Sequence, residues 1–316
     1  MHNRRPFSIK EAHDRMPLAQ ALADRFPQIP LADWERRCDA GMVVDHAGNV
    51  CGKSRIVRSG ERLFQIFPDE TEPPVAADIR VLHLDGALLL VHKPAPLPMH
   101  PCGRFHRNTL QHLLNLACHP LSPKPVHRLD ANTTGLVLFA LDRSACRAMQ
   151  ARFLSGDVEK SYLVRVAGHP GSDVFSSRES VSSIPLAAGV RMTGVPDGRE
   201  ARTDFRLIRR DADGTALLEA RLLTGRTNQI RAHLWAMGHP VVGDPAYRPD
   251  GKTGVTQTLA PTDPQMQLHA WKLAFGHPVT GERMRFETQS PEWAGYQYSS
   301  SSSRWHIESH LPLQKR

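Results

Sequence analysis

His127-Arg128-Leu129-Asp130-Ala131-Asn132-Thr133-Thr134-Gly135 runs directly into Leu136-Val137-Leu138-Phe139-Ala140. The second half is an apolar run of strand length and reads as a buried strand. The first half is polar and ends on a glycine. A carboxylate therefore sits in a loop that opens onto a buried strand, and loops held by rigid elements are where reactive groups gather. Asp130 has Arg128 two residues away, and Asn132, Thr133 and Thr134 can hydrogen-bond the loop backbone. An ordinary turn whose Asp bonds its own backbone accounts for the same residues.

Elements of both kinds flank this strand. Leu88-Leu89-Leu90-Val91 is a second buried strand and ends at Lys93-Pro94. Residues 109–117 and about 143–154 read as helices. Tyr162-Leu163-Val164-Arg165-Val166 alternates as a strand does. Phe205-Arg206-Leu207-Ile208 and Ala216-Leu217-Leu218-Glu219-Ala220 bracket the turn Asp211-Ala212-Asp213-Gly214, a hairpin signal. Helices mixed with strands and a hairpin predict an α+β class with a mixed, largely antiparallel central sheet. Residues 79–290 form this main domain. Ahead of it, residues 17–67 read as a small α/β unit. Leu18–Leu22 and Leu31–Cys38 have helical rhythm, with Asp33 as a cap candidate for the second. Gly41–Val44 and Ser54–Val57 read as short strands around Gly48 and Gly52. Residues 1–16 are an N-terminal extension, 68–78 a proline-bearing linker, and 291–316, with five consecutive serines, a disordered tail.

Three further segments carry chemistry-bearing side chains. In Gly225-Arg226-Thr227-Asn228-Gln229-Ile230-Arg231-Ala232-His233-Leu234-Trp235-Ala236-Met237-Gly238, Thr227 or Asn228 can cap a helix that Gly238 closes. Ile230, Leu234 and Met237 share its apolar face. Arg231 lies one step round and can either meet a carboxylate across a cleft or stay solvated. In Glu159-Lys160-Ser161-Tyr162, the tyrosine can pack a base and exchange a proton through its hydroxyl, or fill a half-buried strand position. In Lys93-Pro94-Ala95-Pro96-Leu97-Pro98, prolines stiffen the loop after a strand. Lys93 could meet a phosphate or simply be exposed.

Composition narrows the class. The chain has 316 residues, 40% hydrophobic, with net charge +8 and a pI near 9.5. That excess suits a polyanionic partner. Five scattered cysteines, with no C-x-x-C pair, argue against a disulfide framework or a thiolate zinc site and for a reducing cytoplasm. Seventeen histidines include no H-E-x-x-H, so no metal is expected. No apolar run reaches spanning length, and the start lacks a signal-peptide core, so no membrane partner is expected. Neither a Walker A loop nor G-x-G-x-x-G is present, so no nucleotide cofactor is expected. A monomer is the expected state. Two other classes fit parts of this pattern: a non-catalytic RNA-binding protein, which the charge allows, and a metal-dependent RNA hydrolase, for which clustered ligands are missing.

Taken together, the segments resemble the pseudouridine synthases of the ribosomal large-subunit synthase A type, over about residues 80–288. His127–Gly135 resembles that family's H-R-L-D-x-x-T-S-G. Gly225–His233 resembles its G-R-T-H-Q-I-R-x-H and continues through Gly238-His239-Pro240 to Gly243-Asp244. Lys93-Pro94 with His100-Pro101, Lys160-Ser161-Tyr162 and Leu268-His269-Ala270 follow in the family's order. Asn132 stands where Asp is usual, Thr134 where Ser is, and Asn228 where His is. Residues 17–65 are similar, less closely, to the S4 RNA-binding module.

The resemblance implies a pseudouridine synthase fold with a catalytic cleft. It implies isomerisation of uridine to pseudouridine in 23S ribosomal RNA, transfer RNA or both, without a cofactor. It implies that Asp130 attacks the ribose C1′ or removes the C2′ proton, and that Arg231 pairs with Asp130, keeping it ionised and placed. Tyr162 would stack on the uracil and take the C5 proton. Arg128 would hold the position vacated by a flipped base, and Ile230 would form the floor beneath it. His127, Thr134, Gly135, Gln229, Arg226 and Lys93 are further expected RNA or uridine contacts, and Arg36 and Arg37 expected contacts of the S4-like unit.

Overall fold

The computed structural model describes residues 3–68, 71–186, 189–254 and 258–295. The chain divides into two units. One holds the residues up to Pro73 together with Cys102–Arg107, and the other holds Pro74–Pro101 and the chain from Asn108 onward.

In the small unit, β1 (Asn3–Ser8) leads to α1 (Leu18–Arg25), α2 (Leu31–Asp39), β2 (Val43–Val44) and β3 (Arg62–Phe67). The sheet order is β1-β3-β2, with antiparallel neighbours. Leu18, Leu22, Trp34, Cys38, Val43 and Leu63 fill its core. Three expectations change here. Residues 3–8 are an edge strand on β3 rather than an extension; Pro6 masks that signal, since proline is tolerated only at such edges. Ser54–Val57 is not a strand and makes one isolated bridge, Ile56 with Pro17. Asp33 does not cap α2, whose N-cap position is Pro30; Asp33 instead pairs with Arg36.

The large unit comprises β4 (Arg80–Leu84), β5 (Leu88–Lys93), α3 (Leu110–Ala117), β6 (Lys124–Pro125), β7 (Thr134–Ala140), α4 (Arg143–Ser155) and β8 (Glu159–Ala167). β9 (Val174–Ser177), β10 (Thr203–Arg210), β11 (Thr215–Leu222), α5 (Gln229–Ala236), β12 (Leu268–Gly276) and β13 (Arg283–Glu287) complete it. Its sheet runs β4-β5-β7-β12-β8-β11-β10-β9, with β13 on β12 and β6 on β7. Only the short β7–β12 ladder is parallel among these pairings, so the sheet is mixed and largely antiparallel, as expected.

β7 is buried along its whole length because both sheet faces are covered. Val137 and Phe139 enter a core that α3 and α5 close with Leu110, Leu114, Ile230 and Leu234. Leu136, Leu138 and Ala140 enter the opposite core, closed by Ala145 and Met149 of α4. α4 starts where the Asp142 carboxylate accepts the Ala145 N–H at 2.9 Å and stops at Gly156, which is left-handed with φ 81°. The β10–β11 hairpin turns through Asp211–Gly214 as read from sequence. Residues 291–295 do not belong to a free tail: Ala294 is fully buried against Leu163, Leu217 and Trp271. The serine run and the rest of the expected tail lie outside the described residues.

Candidate active site

The loop after Val126 and the start of α5 face each other across a cleft of about 450 Å³ in the large unit. Its lining includes Arg128, Asp130, Lys160, Tyr162, Arg226 and Ile230. Two ends of the chain's logic meet here: a loop leading into the doubly buried β7, and a helix docked on the same core by Ile230 and Leu234. Both backbones are therefore fixed by packing before any ligand arrives.

Asp130 sits in a loop pinned from several directions. The Ala131 carbonyl accepts the Leu97 N–H and the Lys93 ammonium, each at 2.9 Å. The Asn132 side-chain oxygen accepts the Leu259 N–H at 3.0 Å, and the Thr134 hydroxyl meets His269 Nδ1 at 2.7 Å. The polar loop residues thus bind distant elements rather than mainly their own backbone. Gly135 has φ 111°, and a Cβ there would lie 2.2 Å from the Ala270 carbonyl oxygen. Glycine at this position is what lets β12 pair beside β7.

Arg231 is the electrostatic centre of the site. Its Nη1 donates to Asp130 Oδ2 at 2.9 Å and to Asn228 Oδ1 at 3.1 Å. Its Nε and Nη2 donate in parallel to Asp244 Oδ2 and Oδ1 at 2.7 and 2.8 Å. The Tyr247 ring lies 5.0 Å from the guanidinium carbon. Asp244 also accepts the N–H groups of Ala246 and Tyr247, at 2.8 and 3.0 Å. Burial opposes the charge on Arg231, but Asp244 and Asp130 outweigh it and hold the guanidinium above its ordinary range. A bidentate pair fixes the plane of a guanidinium, so Asp244 sets the orientation in which Nη1 reaches Asp130. Asp130 keeps one carboxylate oxygen without a partner among the described residues, on a side chain 22% exposed in the cleft. A carboxylate clamped through one oxygen and open at the other can act as nucleophile or base on a group brought into the cleft.

Tyr162 stands on β8, buried, with its phenol pushed up by burial and by the Asp130 charge. It stays protonated at neutral pH. Arg128 is exposed at the rim, and Ile230 lines the floor while belonging to the core.

The remaining expected contact residues have partners within the protein. Lys93 is not exposed: it is fully buried, and its ammonium donates to the carbonyls of Pro94, Leu97 and Ala131 at 2.9–3.0 Å. Burial pulls its pKa down to about 7. Three carbonyl acceptors engage all three ammonium protons and so favour the charged form against that pull. His127 stacks on Phe153 with ring centroids 4.7 Å apart, and its Nε2 accepts the Leu138 N–H at 3.0 Å. Burial, then Lys160, pushes it down to about 3, so it is neutral and braces the loop. Thr134 and Gly135 are taken up by His269 and by β12. Gln229 is buried, donating to Arg202 O and Thr203 Oγ1 and accepting from Thr224 and the Arg226 N–H, which closes the loop before α5. Asn228 occupies the N-cap position of α5 with φ 58° but makes no capping side-chain bond; its amide donates instead to Gly189 O at 3.2 Å. Arg226 lines the cleft while its Nε donates to Glu200 O. In the small unit, Arg36 pairs with Asp33, and Arg37 lies over Trp34 at 5.1 Å.

Two residues of the site escape a local reading. Asp244 follows a glycine in a turn-like stretch, and nothing near it in sequence shows that it faces Arg231. Lys160 precedes Tyr162 by two positions, so strand alternation puts both on one face; that was the available signal.

Among the described residues no cluster of His, Cys, Asp or Glu could hold a metal ion, and no helix is long and apolar enough to cross a membrane. The family model described as RNA pseudouridylate synthase matches residues 87–236. The ribosomal large subunit pseudouridine synthase D of Nitrosomonas europaea is 34% identical over 87% of this chain and 81% of its own length. The dual-specificity RNA pseudouridine synthase RluA of Yersinia pestis is 31% identical over 66% of this chain and 98% of its own. Among solved structures, human RNA pseudouridylate synthase domain containing 1 shares the fold, with a TM-score of 0.56 over 70% of this chain and 87% of that one at 24% identity. With a mixed sheet carrying a cleft whose aspartate is clamped by a buried arginine, and with relatives of this kind along most of its length, the chain belongs to the RNA pseudouridine synthase family, isomerases that convert uridine to pseudouridine in RNA.

Proposed function

We propose that Asp130 is the catalytic carboxylate of this isomerase, acting on a uridine flipped into the cleft, and that the substrates are ribosomal RNA, transfer RNA or both. One observation carries the reading. A partly exposed carboxylate, open at one oxygen, is held at the other by an arginine that a second, fully buried aspartate orients. The names of the relatives from Nitrosomonas europaea and Yersinia pestis, a large-subunit enzyme and a dual-specificity one, support the RNA classes.

The reaction breaks the N1–C1′ bond, turns the uracil and joins C5 to C1′, with no net oxidation. Asp130 acts at the ribose, by attack on C1′ or by removing the C2′ proton. Arg231 holds it in place. Tyr162 packs against the uracil. Because burial and Asp130 keep its hydroxyl protonated, Tyr162 takes the C5 proton only as it passes its own on toward N1, the position that gains a proton in the product. Arg128, exposed at the rim, occupies the space the flipped base leaves, which offsets part of the few kcal/mol that flipping costs. Ile230 is the floor under the base. The small unit, through surface cations such as Arg36 and Arg37 in an S4-like role, adds phosphate contacts that are independent of sequence. The protein works as a cytoplasmic monomer.

The test is Asp130→Asn with pseudouridine mapped in total RNA. Conversion is abolished while RNA binding stays nearly unchanged. Continued pseudouridine formation by the variant refutes the assignment, and mapping the sites lost without the protein names the RNA.

A further inference from the structure

We propose that Lys160 is a seat for a backbone phosphate of the RNA that enters the Asp130 cleft. The inference rests on the reading of this cleft as the place where RNA binds. It extends that reading to a side chain the chemistry above does not use.

Lys160 is 8% exposed, yet its ammonium has no hydrogen-bonding or ionic partner among the described residues. The ammonium lies over the Phe153 ring, whose centroid is 5.6 Å from Nζ. A largely buried cation normally sits with a carboxylate or several carbonyl acceptors. Lys93, in the same unit, shows that arrangement with its three carbonyls. Lys160 has neither, and burial lowers its pKa. Its neighbour His127 is neutral and accepts a backbone N–H, so it supplies no counter-charge.

The direction of the side chain says where the missing partner arrives. Lys160 lines the cleft, and a Cβ on Gly225 would lie 3.9 Å from its Nζ. The ammonium therefore lies beside the bare backbone of the loop that leads to α5. Arg226 follows in that loop, and Thr227 adds a hydroxyl without a partner among the described residues. The charged residues lining the cleft are Arg128, Lys160, Arg226 and Arg231 against the single carboxylate Asp130. Even with the buried Asp244 counted against Arg231, cations outnumber carboxylates here, which favours an anion. Lys160 and Tyr162 are two residues apart on one face of β8, a step of roughly 6.6 Å along the strand. If Tyr162 meets the base, a group one such step away is placed for the ribose–phosphate backbone rather than for the reacting carbon.

The experiment uses the full chain and total RNA from cells lacking this protein, with conversion followed at the sites the wild type modifies over a potassium chloride series. Lys160→Met keeps the length and apolar body of the side chain and removes the charge. The expected result is a fall in kcat/KM of about tenfold or more, carried mainly by KM, with the plot of log kcat/KM against log salt shallower by about 0.7, the contribution of one phosphate on a single strand. Lys160→Arg restores the wild-type slope. The urea midpoint of Lys160→Met does not fall, because the variant buries no new polar group. A salt slope unchanged from wild type overturns the proposal, whether or not the affinity drops. So does a lowered urea midpoint with an unchanged slope, which would make Lys160 a packing residue. Loss of conversion in Asp130→Asn is independent of both outcomes, so failure here leaves the catalytic assignment standing.

Discussion

Replacing Asp244 with asparagine perturbs the site from a side chain that does not itself line the cleft. The Asp244 side chain is fully buried and that of Arg231 is 3% exposed. Asparagine keeps one oxygen to accept from Arg231 Nη2 and from the N–H groups of Ala246 and Tyr247. It places an NH2 where Oδ2 accepts Arg231 Nε–H at 2.7 Å, so donor faces donor. Breaking one partner of a buried ion pair costs about 3–5 kcal/mol, a large part of the roughly 5–15 kcal/mol that keeps a domain folded. Arg231 retains Asp130 and Asn228 as acceptors but loses the bidentate contact that fixes its plane. A displacement on the order of 1 Å at a reacting group costs roughly 100-fold in rate. The expected outcome of Asp244→Asn is a urea midpoint lowered by the equivalent of about 3 kcal/mol at unchanged slope, with kcat down about 100-fold and KM for RNA little altered. Urea unfolding and single-turnover conversion below the midpoint read the two effects separately. A variant as stable as wild type, or one that is destabilised but turns over normally when folded, refutes the idea that Asp244 positions the catalytic pair.

Gly135→Ala places a methyl 2.2 Å from the Ala270 carbonyl oxygen at φ 111°; it is expected to destabilise by more than about 4 kcal/mol, and a thermal midpoint near wild type counts against the close β7–β12 contact. His269 is 1% exposed and pushed down by burial to about 3, with His127 also near 3 and His92 near 4. Their folded pKa values lie below the unfolded one of about 6.5, so they add stability above that pH and lose it as pH falls toward the folded values. The slope is up to about 1.4 kcal/mol per pH unit for His269, and unfolding free energies that stay level from about pH 7 to pH 5 contradict it. Arg128→Ala is expected to slow conversion of a uridine in structured RNA more than one in a short single strand; equal losses on the two refute its role beside the flipped base.

The contrast between two lysines shows what a local reading reaches. Sequence singled out Lys93, after a strand and among prolines, as the cation able to meet phosphate. In the fold that ammonium is buried under three carbonyls, while Lys160 is the one left without a polar partner at the cleft. The same holds for the loop polar residues, whose partners Leu259 and His269 lie more than a hundred residues away in sequence. The strands, the hairpin and α5 with its closing glycine were legible because periodicity, turn chemistry and capping are properties of adjacent residues. β1 was not, because Pro6 hides a strand that only the ladder to β3 reveals.

By itself, the sequence determined the α+β class, the loop carboxylate Asp130 ahead of a buried strand, Tyr162 on a strand and Arg231 on a helix set down by its apolar face. It carried the family too, because ordered motifs survive in a linear reading. Only the tertiary structure decided that Arg231 is shared between Asp130 and Asp244, that Gly135 is required by a neighbouring strand, and which lysine has its protons engaged. Whether a buried charge is satisfied depends on groups brought near through space, and burial and hydrogen-bond partners are set by packing rather than by neighbours along the chain.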